Sequence, residues 1–430
     1  MVTLLAMSDY DFFTNESVDG PLHRPQSIEE IDVRQSILED LALKILCLSG
    51  TLSMLDLADR TKLSFEVVKE LSTQLRAELL CQVTGMTGHV QQIAITSQGR
   101  TRAMDLLTQN HYSGPAPVSL VSYVEQTRLQ SVRKVEAHAE DVKRAFAHLV
   151  IDEGMLRQFG TALNSGSSIF LYGPPGTGKT TVAETLSRVL AEDEVWIPYA
   201  VEVDGEIITV FDPAVHKRVA SSGNENVDER WVHCQRPAVL VGGELTAEML
   251  DLQFNPITKF YVAPAQMKAN NGVLIIDDFG RQKIRPEDLL NRWVVPLDRR
   301  IDFLALSGGK KLEVPFEMLV VFASNMDPAE LVDACFLRRI QTKIKVSGLT
   351  DAQFCEIFRR VAQENRVEFE ADIPRDLIEF IRGVLKQELR QCYPRDVVNQ
   401  VLWSARYEGR KPYMDHAAMM QAVEAYFLPK

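Results

Sequence analysis

The sequence of 430 residues contains 47 Lys and Arg against 59 Asp and Glu, a formal net charge of −12 at pH 7. Sequence-independent affinity for nucleic acid comes from Lys and Arg that neutralise phosphates, so this balance disfavours it, although a local basic patch stays open. The six cysteines lack any C-x-x-C spacing, which disfavours a zinc site or a disulfide framework, and no apolar run is long enough to span a bilayer. We therefore expect a cytoplasmic protein of two or three domains without a membrane span.

Residues 36–111 show three helical patterns followed by two runs of alternating apolar residues. The helical patterns cover residues 37–48, 53–61 and 64–80, and the alternating runs cover residues 81–85 and 90–96. Ser53 and Ser64 are placed as N-caps of the second and third helices. This order of helices and hairpin is typical of a winged-helix domain.

The charge of the third helical pattern bears on whether this winged helix binds DNA. Its charged residues are Glu66, Lys69, Glu70, Arg76 and Glu78, and residues 1–114 as a whole hold nine Lys and Arg against fifteen Asp and Glu. Few cations are therefore available to meet phosphates. We favour docking of a protein or self-association over DNA recognition, which stays the alternative.

A mobile lead-in and a linker are predicted on either side of the winged-helix pattern. Residues 1–35 are polar and acidic and contain a Gly-Pro pair, which indicates a mobile lead-in. Residues 112–138 begin with the sequence Tyr-Ser-Gly-Pro-Ala-Pro, and this proline and glycine content predicts a linker.

A glycine-rich loop lies between a predicted buried strand at residues 168–172 and a helical pattern at residues 182–190. It consists of Gly173, Pro174, Pro175, Gly176, Thr177, Gly178, Lys179, Thr180 and Thr181. Strand, glycine-rich loop and helix form the context of a phosphate-binding loop. In such a loop the backbone N–H groups face the phosphates, Lys179 reaches the terminal phosphates and the Thr180 hydroxyl can ligate magnesium. A long helical pattern at residues 139–163 precedes the strand.

Acidic and amide residues follow two further apolar runs. Residues 272–276 predict a central strand of a parallel sheet, with Asp277 and Asp278 at its carboxyl end, where such sheets bind ligands. Mg-nucleotide chemistry needs one acid for the metal shell and another group to orient water. Residues 319–324 predict a second buried strand that ends at Asn325, which could cap the next turn or bind the attacking water; in this setting we favour the water.

An insertion and a helical region complete the predicted α/β domain of residues 139–347. The insertion covers residues 195–262, with a hairpin around Asp204 and Gly205, a polar tract at 221–229 predicted as a mobile loop, and short strands at 238–241 and 259–262. The sequence supports two interpretations of this insertion equally: an addition to the core without a role of its own, and an arm that contacts a partner. Residues 348–430 predict a helical domain, with patterns at 351–364, 374–389, 394–407 and 415–426.

From residue 139 onward these motifs resemble the AAA+ ATPases. Residues 173–180 resemble Walker A, residues 273–278 resemble Walker B, and Asn325 resembles sensor 1. Residues 335–340 are similar to the segment that carries the arginine finger, and residues 394–396 are similar to sensor 2. The resemblance implies a P-loop α/β fold with a parallel-sheet core and a helical lid, here preceded by the winged helix. Residues 263–272 also resemble the clade with helix-2 insertions, and residues 278–282 and 289–293 resemble bacterial ATPases with chaperone-like activity.

The resemblance also implies roles for individual residues. Lys179 and the loop amides would hold the phosphates of ATP or ADP, Thr180 and Asp277 would organise Mg²⁺, and Asp278 and Asn325 would position the water. Arg339, with Arg338 as the alternative, would reach the γ-phosphate from a neighbouring subunit. Arg395 would sense the same phosphate from the lid. The implied assembly is a hexamer-like homo-oligomer, a ring or short helix, with ATP at its interfaces.

The Walker B motif departs from the family pattern because it ends in Asp277-Asp278 rather than Asp-Glu. The Asp278 side chain is one methylene shorter than the expected base, which predicts slow hydrolysis. The leading hypothesis is an ATPase that remodels an unidentified protein client, with the winged helix as docking module. The alternatives are an ATP-switched DNA-binding regulator or loader with little turnover, and a scaffold stabilised by nucleotide.

Overall fold

The computed structural model describes residues 22–220, 226–331 and 337–427. Its N-terminal part contains four helices and a three-stranded antiparallel sheet of order β1-β3-β2. These elements are α1 (Gln35–Ser49), β1 (Leu52–Ser53), α2 (Met54–Thr61), α3 (Phe65–Ala77), β2 (Cys81–Thr87), β3 (Val90–Ile95) and α4 (Ser97–Gln109). The Ser53 and Ser64 side chains accept hydrogen bonds from the backbone N–H groups of Asp56 and Val67, which confirms both predicted N-caps. The sequence patterns missed β1 and α4.

Part of the predicted flexible lead-in is packed. Residues 1–21 lie outside the described residues, but Ile28–Glu30 form a short 3₁₀ helix. Ile28, Ile31 and Val33 are buried in the same apolar core as α1 and α3. Their apolar side chains favour burial over solvent exposure, so the lead-in prediction does not hold for this stretch.

The predicted linker at residues 112–138 also packs against the rest of the chain. It contains β4 (Val118–Ser119) and α5 (Leu120–Leu129). Tyr112 and Ala116 are buried, and the Tyr112 hydroxyl donates to the Pro115 carbonyl at 2.7 Å. The prolines therefore shape a fixed turn that leads into a sheet strand and a helix, rather than a spacer.

The predicted long helix at residues 139–163 is two helices, α6 (Ala139–Phe146) and α7 (Glu153–Asn164). The break arises because Asp152 starts a new helix: its carboxylate accepts from the backbone N–H of Met155 at 2.9 Å. The chain then forms β5 (Ile169–Tyr172), the glycine-rich loop and α8 (Lys179–Leu190). Strand, loop and helix thus agree with the sequence prediction.

The α/β region continues with strands and helices that alternate between a core sheet and an outer layer. They are β6 (Glu194–Pro198), β7 (Ala200–Val203), β8 (Glu206–Thr209), β9 (Trp231–Gln235), β10 (Ala238–Val241), β11 (Gln253–Phe254), β12 (Tyr261–Val262), α9 (Ala265–Lys268), β13 (Val273–Ile276), α10 (Pro286–Arg299), β14 (Ile301–Ala305), β15 (Lys311–Pro315), β16 (Leu319–Ser324), α11 (Pro328–Leu331) and β17 (Thr342–Lys345).

The core is a five-stranded parallel sheet of order β10-β13-β16-β5-β17. Every residue of β13 and β16 is buried, as expected for strands covered on both faces. The chain is therefore a mixed α/β protein with a parallel sheet. The predicted insertion at residues 195–262 is wrong in one respect, since it includes β10. This strand pairs with β13 inside the core sheet. Its four residues were too short a pattern to show which sheet the strand joins.

A second, mixed sheet of order β11-β12-β8-β7-β4 carries most of the insertion. The predicted hairpin is present between β7 and β8, and its turn residues Asp204 and Gly205 have φ of 53° and 93°, which fits a type I′ turn. The apolar run before it divides at Tyr199, because β6 pairs with β9 instead. Of the polar tract predicted as a mobile loop, residues 221–225 lie outside the described residues, whereas Asp228 is buried.

The C-terminal region is helical around a separate apolar core. Its elements are α12 (Asp351–Glu364), β18 (Glu368–Phe369), α13 (Ile373–Glu379), a π-helical turn (Phe380–Val384), α14 (Cys392–Tyr407), β19 (Tyr413–Met414) and α15 (His416–Tyr426). The strands β18 and β19 form a two-residue parallel pair that the helical patterns did not predict. The predicted helix at 374–389 ends earlier, after the π-helical turn. Throughout the described part of the chain, each helix is too short or too polar to cross a bilayer.

Candidate nucleotide site

The glycine-rich loop leaves the carboxyl end of β5, and α8 begins at Lys179. Gly178 caps α8 with φ 84° and ψ 20°, a left-handed conformation that glycine adopts at little cost. The segment before α14 lies directly against the loop. A Cβ atom built on Gly178 would overlap the Gln391 side-chain oxygen, and one on Gly176 would lie 2.5 Å from the Cys392 sulfur. The loop therefore forms the floor of a cleft that the helical region covers.

Lys179 is held inside this loop. It is only 7% exposed, and its Nζ donates to the carbonyls of Gly173 at 3.0 Å and Pro174 at 2.8 Å. Burial lowers the pKa of Lys179, and the nearby carboxylates Asp278 and Asp277 oppose that shift. The ammonium is thus bonded to the loop backbone and lies close enough to the two acids for their charges to act on it.

Thr180 and Asp277 meet at the carboxyl edge of the sheet, the edge at which the parallel strands end. The Thr180 Oγ1 donates to both carboxylate oxygens of Asp277, at 3.0 and 2.9 Å. A hydroxyl and a carboxylate are hard oxygen donors of the kind that Mg²⁺ prefers, so these residues fit a magnesium ion. In the described part of the chain, no three His, Cys, Asp or Glu side chains converge as a metal site. Magnesium usually completes its shell with phosphate and water rather than with a full protein cage.

Asp278 and Asn325 are a second pair at this edge. The Asn325 Nδ2 donates to the Asp278 Oδ1 at 2.9 Å, which leaves Oδ2 without this contact. Asp278 has φ 49°, in the left-handed region, where the chain turns sharply after β13. The Gln282 side chain supports the turn by donating to the Asp277 carbonyl and accepting from the Gly280 N–H, both at 2.8 Å. Gln282 was not singled out from the sequence.

Arg338 and Arg339 lie at the opposite, amino edge of the sheet, where the strands begin. They precede β17, whose first residue pairs in register with Ile169, the first residue of β5. The Arg339 Nε donates to the Asp298 carboxylate at 2.9 Å, and the Ser168 hydroxyl donates to the Arg339 carbonyl at 3.2 Å. Four strand residues at about 3.3 Å each separate the edges by roughly 13 Å. These arginines are therefore not brought to the loop of their own chain.

Arg390, and not the predicted Arg395, lies beside the glycine-rich loop. The Arg395 guanidinium pairs with the neighbouring Asp396 at 3.0 Å, and its side chain is 65% exposed. Arg390 instead packs beside the loop, with its Cδ 3.6 Å from a Cβ position on Gly176. Its charge contributes to the lowered pKa of Lys179. Because α14 begins at Cys392 and not at Pro394, an arginine just before the helix was the signal available in the sequence.

A cleft of about 860 Å³ adjoins the loop, between the carboxyl edge and the helical region. Its lining includes Tyr172, Gly173, Pro174, Asn325, Gly348 and Arg382. Clefts of this size commonly hold cofactors and other small ligands. The arrangement can hold a phosphate-bearing ligand, a magnesium ion and an oriented water at one edge of the sheet.

Comparison with known proteins finds partial similarities. Residues 350–425 match the family described as Domain of unknown function (DUF8689). The vesicular-fusion protein sec18 of Schizosaccharomyces pombe is 34% identical over 86 residues, which are 20% of this chain and 11% of sec18. Among solved structures, NtrX from Brucella abortus in complex with ADP aligns at 15% identity and a TM-score of 0.39, covering 63% of this chain and 54% of NtrX.

A second solved structure is the Thermotoga maritima RuvB Holliday junction branch migration motor. It aligns at 15% identity and a TM-score of 0.37, covering 64% of this chain and 69% of RuvB. This chain thus spans about a tenth of the length of sec18 and about half that of NtrX. Both structural alignments have TM-scores below 0.4. The chain brings a glycine-rich loop, two acids and an amide together at the carboxyl edge of its parallel sheet.

Proposed function

We propose that this chain is an AAA+-type ATPase that binds Mg-ATP at the carboxyl edge of its sheet and hydrolyses it. The observation that carries the proposal is the bond from the Thr180 hydroxyl to the Asp277 carboxylate, beside Lys179. A glycine-rich loop, a lysine and a magnesium-type oxygen pair are the parts that a nucleoside triphosphate needs. These groups, placed together, fit the binding of a magnesium-bound nucleotide better than other ligands.

Each residue then has a defined task. Lys179 exchanges its bonds with the loop carbonyls for phosphate oxygens, while the α8 N-terminus adds its partial positive charge. Thr180 and Asp277 hold the magnesium ion, which when bound would neutralise charge that develops on the phosphates. Arg390, beside the loop, is well placed to meet the same charge from the helical region.

Asp278 acts on the attacking water. Its Oδ2 accepts a proton from that water, while the Asn325 Nδ2 holds Oδ1 and so fixes the orientation of the carboxylate. The shorter aspartate side chain places this base differently from a glutamate. We therefore expect turnover at the slow end of the range for this class.

The finger role proposed for Arg339, with Arg338 as its alternative, requires a second copy of the chain. Both arginines lie at the amino edge, remote from the loop of their own chain, so only a neighbour's nucleotide is within their reach. This supports a homo-oligomer, hexamer-like, in a ring or short helix.

We also propose that residues 36–111 act as a winged-helix module that docks a protein client. The Glu70 side chain on α3 accepts a hydrogen bond from the Ile28 N–H at 3.0 Å, and the Gln35 side chain donates to Gln74 at 2.8 Å. These contacts cover part of the helix that would otherwise read DNA. They favour a protein client over nucleic acid.

The deciding experiment measures ATP turnover and assembly together. Wild type, Asp278→Asn and Lys179→Ala are compared, with light scattering in ADP and in a non-hydrolysable ATP analogue. Asp105→Asn, an exposed change on α4, is the matched control. Turnover that is lost in Asp278→Asn while assembly persists supports the ATPase. Assembly without turnover in wild type contradicts hydrolysis and favours a switch, and bound nucleotide with neither favours a scaffold.

A further inference from the structure

The β2–β3 hairpin of the N-terminal region carries an open strand edge. In the antiparallel sheet of order β1-β3-β2, β3 lies between the other two strands, and among the described residues β2 pairs with β3 alone. Cys81 is buried, whereas each residue from 82 to 87 is exposed. A strand edge of this kind presents unpaired backbone N–H and C=O groups, which can hydrogen-bond to a further strand.

The hairpin lacks charged residues. Residues 79–99 contain no Asp, Glu, Lys or Arg, although such residues make up 25% of the whole chain. Edge strands that stay unpaired are commonly protected by a lysine, a proline or an inward-pointing charge. None of these occurs between residues 79 and 99. The sequence therefore leaves this edge open to pairing.

A β-bulge in β2 sets the direction of its apolar side chains. Val83 pairs in register with Ile93, and Met86 pairs with Gln91, because Thr84 is an extra residue on β2. Ile93 and Gln91 are two residues apart on β3, so they lie on one face of the sheet, and their partners on β2 lie on that face with them. In a regular strand, residues three apart would face opposite ways. The bulge thus turns Met86 to the same side as Val83.

This face continues the apolar core of the N-terminal region out into solvent. Ile93 and Ile95, which lie on the same face, are buried in the core with α1 and α3. Val83 is 39% exposed and Met86 is 62% exposed. Covering both side chains would remove apolar surface from water, which is favourable. We call the open edge of β2, together with Val83 and Met86, the hairpin edge.

The charge of the chain favours a second copy as the partner that covers the hairpin edge. A net charge of −12 makes two copies repel each other over much of their surfaces. The hairpin edge carries no such charge, so two copies can meet there without this repulsion. Recognition of a different protein commonly uses complementary charges that steer the partner and fix its register, and residues 79–99 offer none.

A two-fold axis perpendicular to the sheet satisfies the geometry of such a contact. It places the β2 strands of two copies side by side and antiparallel, an arrangement in which their free N–H and C=O groups can bond to each other. It also keeps the Val83 and Met86 side chains of both copies on one face of the joined sheet. The same surface thus serves both partners, as a closed dimer requires.

We propose that the chain self-associates by antiparallel pairing of β2 with the β2 strand of a second copy. The joined sheet has the order β1-β3-β2-β2-β3-β1. A strand of seven residues from each copy forms the contact. Such a contact is smaller than the roughly 1,200 Å² of a standard interface, so we expect a Kd on the order of 10–100 µM. This pairing needs no nucleotide and does not rest on the proposed ATPase.

The first measurement is sedimentation of the full-length chain up to about 300 µM, which exceeds the expected Kd. Every sample carries Lys179→Ala and contains no nucleotide, so that assembly through bound ATP does not contribute. We expect a reversible dimer, and Met86→Lys should raise its Kd about tenfold, because a charge would be buried in the contact. Met104→Lys is the matched control, since Met104 is 55% exposed on α4 and lies outside the hairpin.

The second measurement is amide hydrogen exchange at low and at high protein concentration. Pairing gives acceptors to the free N–H groups of β2, so exchange in residues 81–87 should slow as the concentration rises. Exchange in β3 should change less, because β3 already lies between two strands. Met86→Lys should abolish the concentration dependence, whereas Met104→Lys should keep it.

The two measurements together decide the inference. A dimer with slowed exchange in residues 81–87, weakened by Met86→Lys and not by Met104→Lys, supports it. A chain that stays monomeric over the same range contradicts it and leaves the hairpin edge to a different protein. A dimer that both variants weaken equally, or that neither weakens, uses another surface and also contradicts it. Because nucleotide is absent, none of these outcomes depends on whether the chain hydrolyses ATP.

Discussion

The two edges of the core sheet arrange charge in opposite ways. At the carboxyl edge, Lys179 faces the carboxylates of Asp277 and Asp278, so the cation has anions close by within the same chain. At the amino edge, four arginines line one small pocket, and Arg339 pairs there with the Asp298 carboxylate. The first edge thus sets one lysine among carboxylates, whereas arginines predominate among the described lining residues of the second.

This difference shows how one sheet can offer two halves of an oligomeric site. Parallel strands all end at one edge of the sheet and all begin at the other. Loops that follow the strands therefore lie at the opposite edge from loops that precede them. A chain that stacks edge to edge with its own copy would place the arginines of one subunit against the phosphates of the next.

The largest effect is expected for Arg339→Ala, which removes the proposed finger from the amino edge. Turnover should fall about 10³-fold, because such an arginine stabilises charge in the transition state, while nucleotide affinity stays nearly intact. Steady-state turnover and equilibrium binding of ATP are measured side by side. Arg338→Ala is the matched variant, and a larger loss there would transfer the role to Arg338.

A mixing experiment tests whether this effect crosses between subunits. Arg339→Ala and Lys179→Ala chains are each expected to be inactive alone. In a mixed assembly, some interfaces combine the intact loop of an Arg339→Ala chain with the intact Arg339 of a Lys179→Ala chain. Equal, random mixing makes a quarter of the interfaces of this kind, so a quarter or less of wild-type turnover should return. No recovery on mixing, despite co-assembly, would contradict a finger acting between copies.

Asp278→Asn is expected to lower turnover about 10²–10³-fold, since the amide has the same shape but cannot accept the proton. ATP affinity should change less than threefold, because the Asn325 contact reaches only one oxygen of this side chain. Turnover and affinity are measured on the same preparations. Equal loss of affinity and rate would place Asp278 in binding and not in the chemistry.

Gly178→Ala tests the close approach between the carboxyl edge and the helical region. An added Cβ would meet Gln391 and force a strained backbone at φ 84°, so nucleotide affinity should fall about tenfold. Calorimetric titration with ADP measures the change. Gly85→Ala is the control, since a Cβ there meets nothing within 4 Å. Equal affinity of both variants would show that the loop tolerates a side chain.

The smallest effect is expected for Arg133→Met at the amino edge. Removal of one cation relieves repulsion of Arg300, so the free energy of unfolding should rise by about 0.5 kcal/mol at low salt. The gain should shrink at high salt, which screens the repulsion. Chemical denaturation at low and at high chloride concentration measures both. A loss of stability in chloride would mean that the packing contacts of Arg133 stabilise the fold by more than its repulsion of Arg300 destabilises it.

Much of the fold could be predicted from local patterns. The strands β5, β13 and β16 are short apolar runs, followed directly by the glycine-rich loop, by Asp277 and by Asn325, and the structure has strands at all three places. Other elements also carried local signals that were missed. The hairpin of β14 and β15 has alternating residues on either side of Gly308 and Gly309, and its signal was available.

The remaining errors concern segments whose state depends on distant partners. By composition the lead-in was predicted to be mobile and residues 112–138 to be a linker, yet Ile28 and Tyr112 are buried in one apolar core with α1. The strand β10 belongs to the core sheet only because it pairs with β13. No local pattern contains that information.

The glycine-rich loop could be recognised from consecutive residues, because its turns, the helix N-terminus and Lys179 belong to one strand–loop–helix unit. Asp277, Asp278 and Asn325 are distant in sequence, but each follows a buried apolar run, and the carboxyl ends of parallel strands meet at one edge of a sheet. The sequence was therefore enough to predict that they lie near Lys179 and Thr180. The folded chain alone decided that Arg390 approaches the loop instead of Arg395, and that Arg133 and Arg300 join Arg338 and Arg339. These arginines are far apart in sequence, and only long-range packing around the amino edge brings them to one pocket.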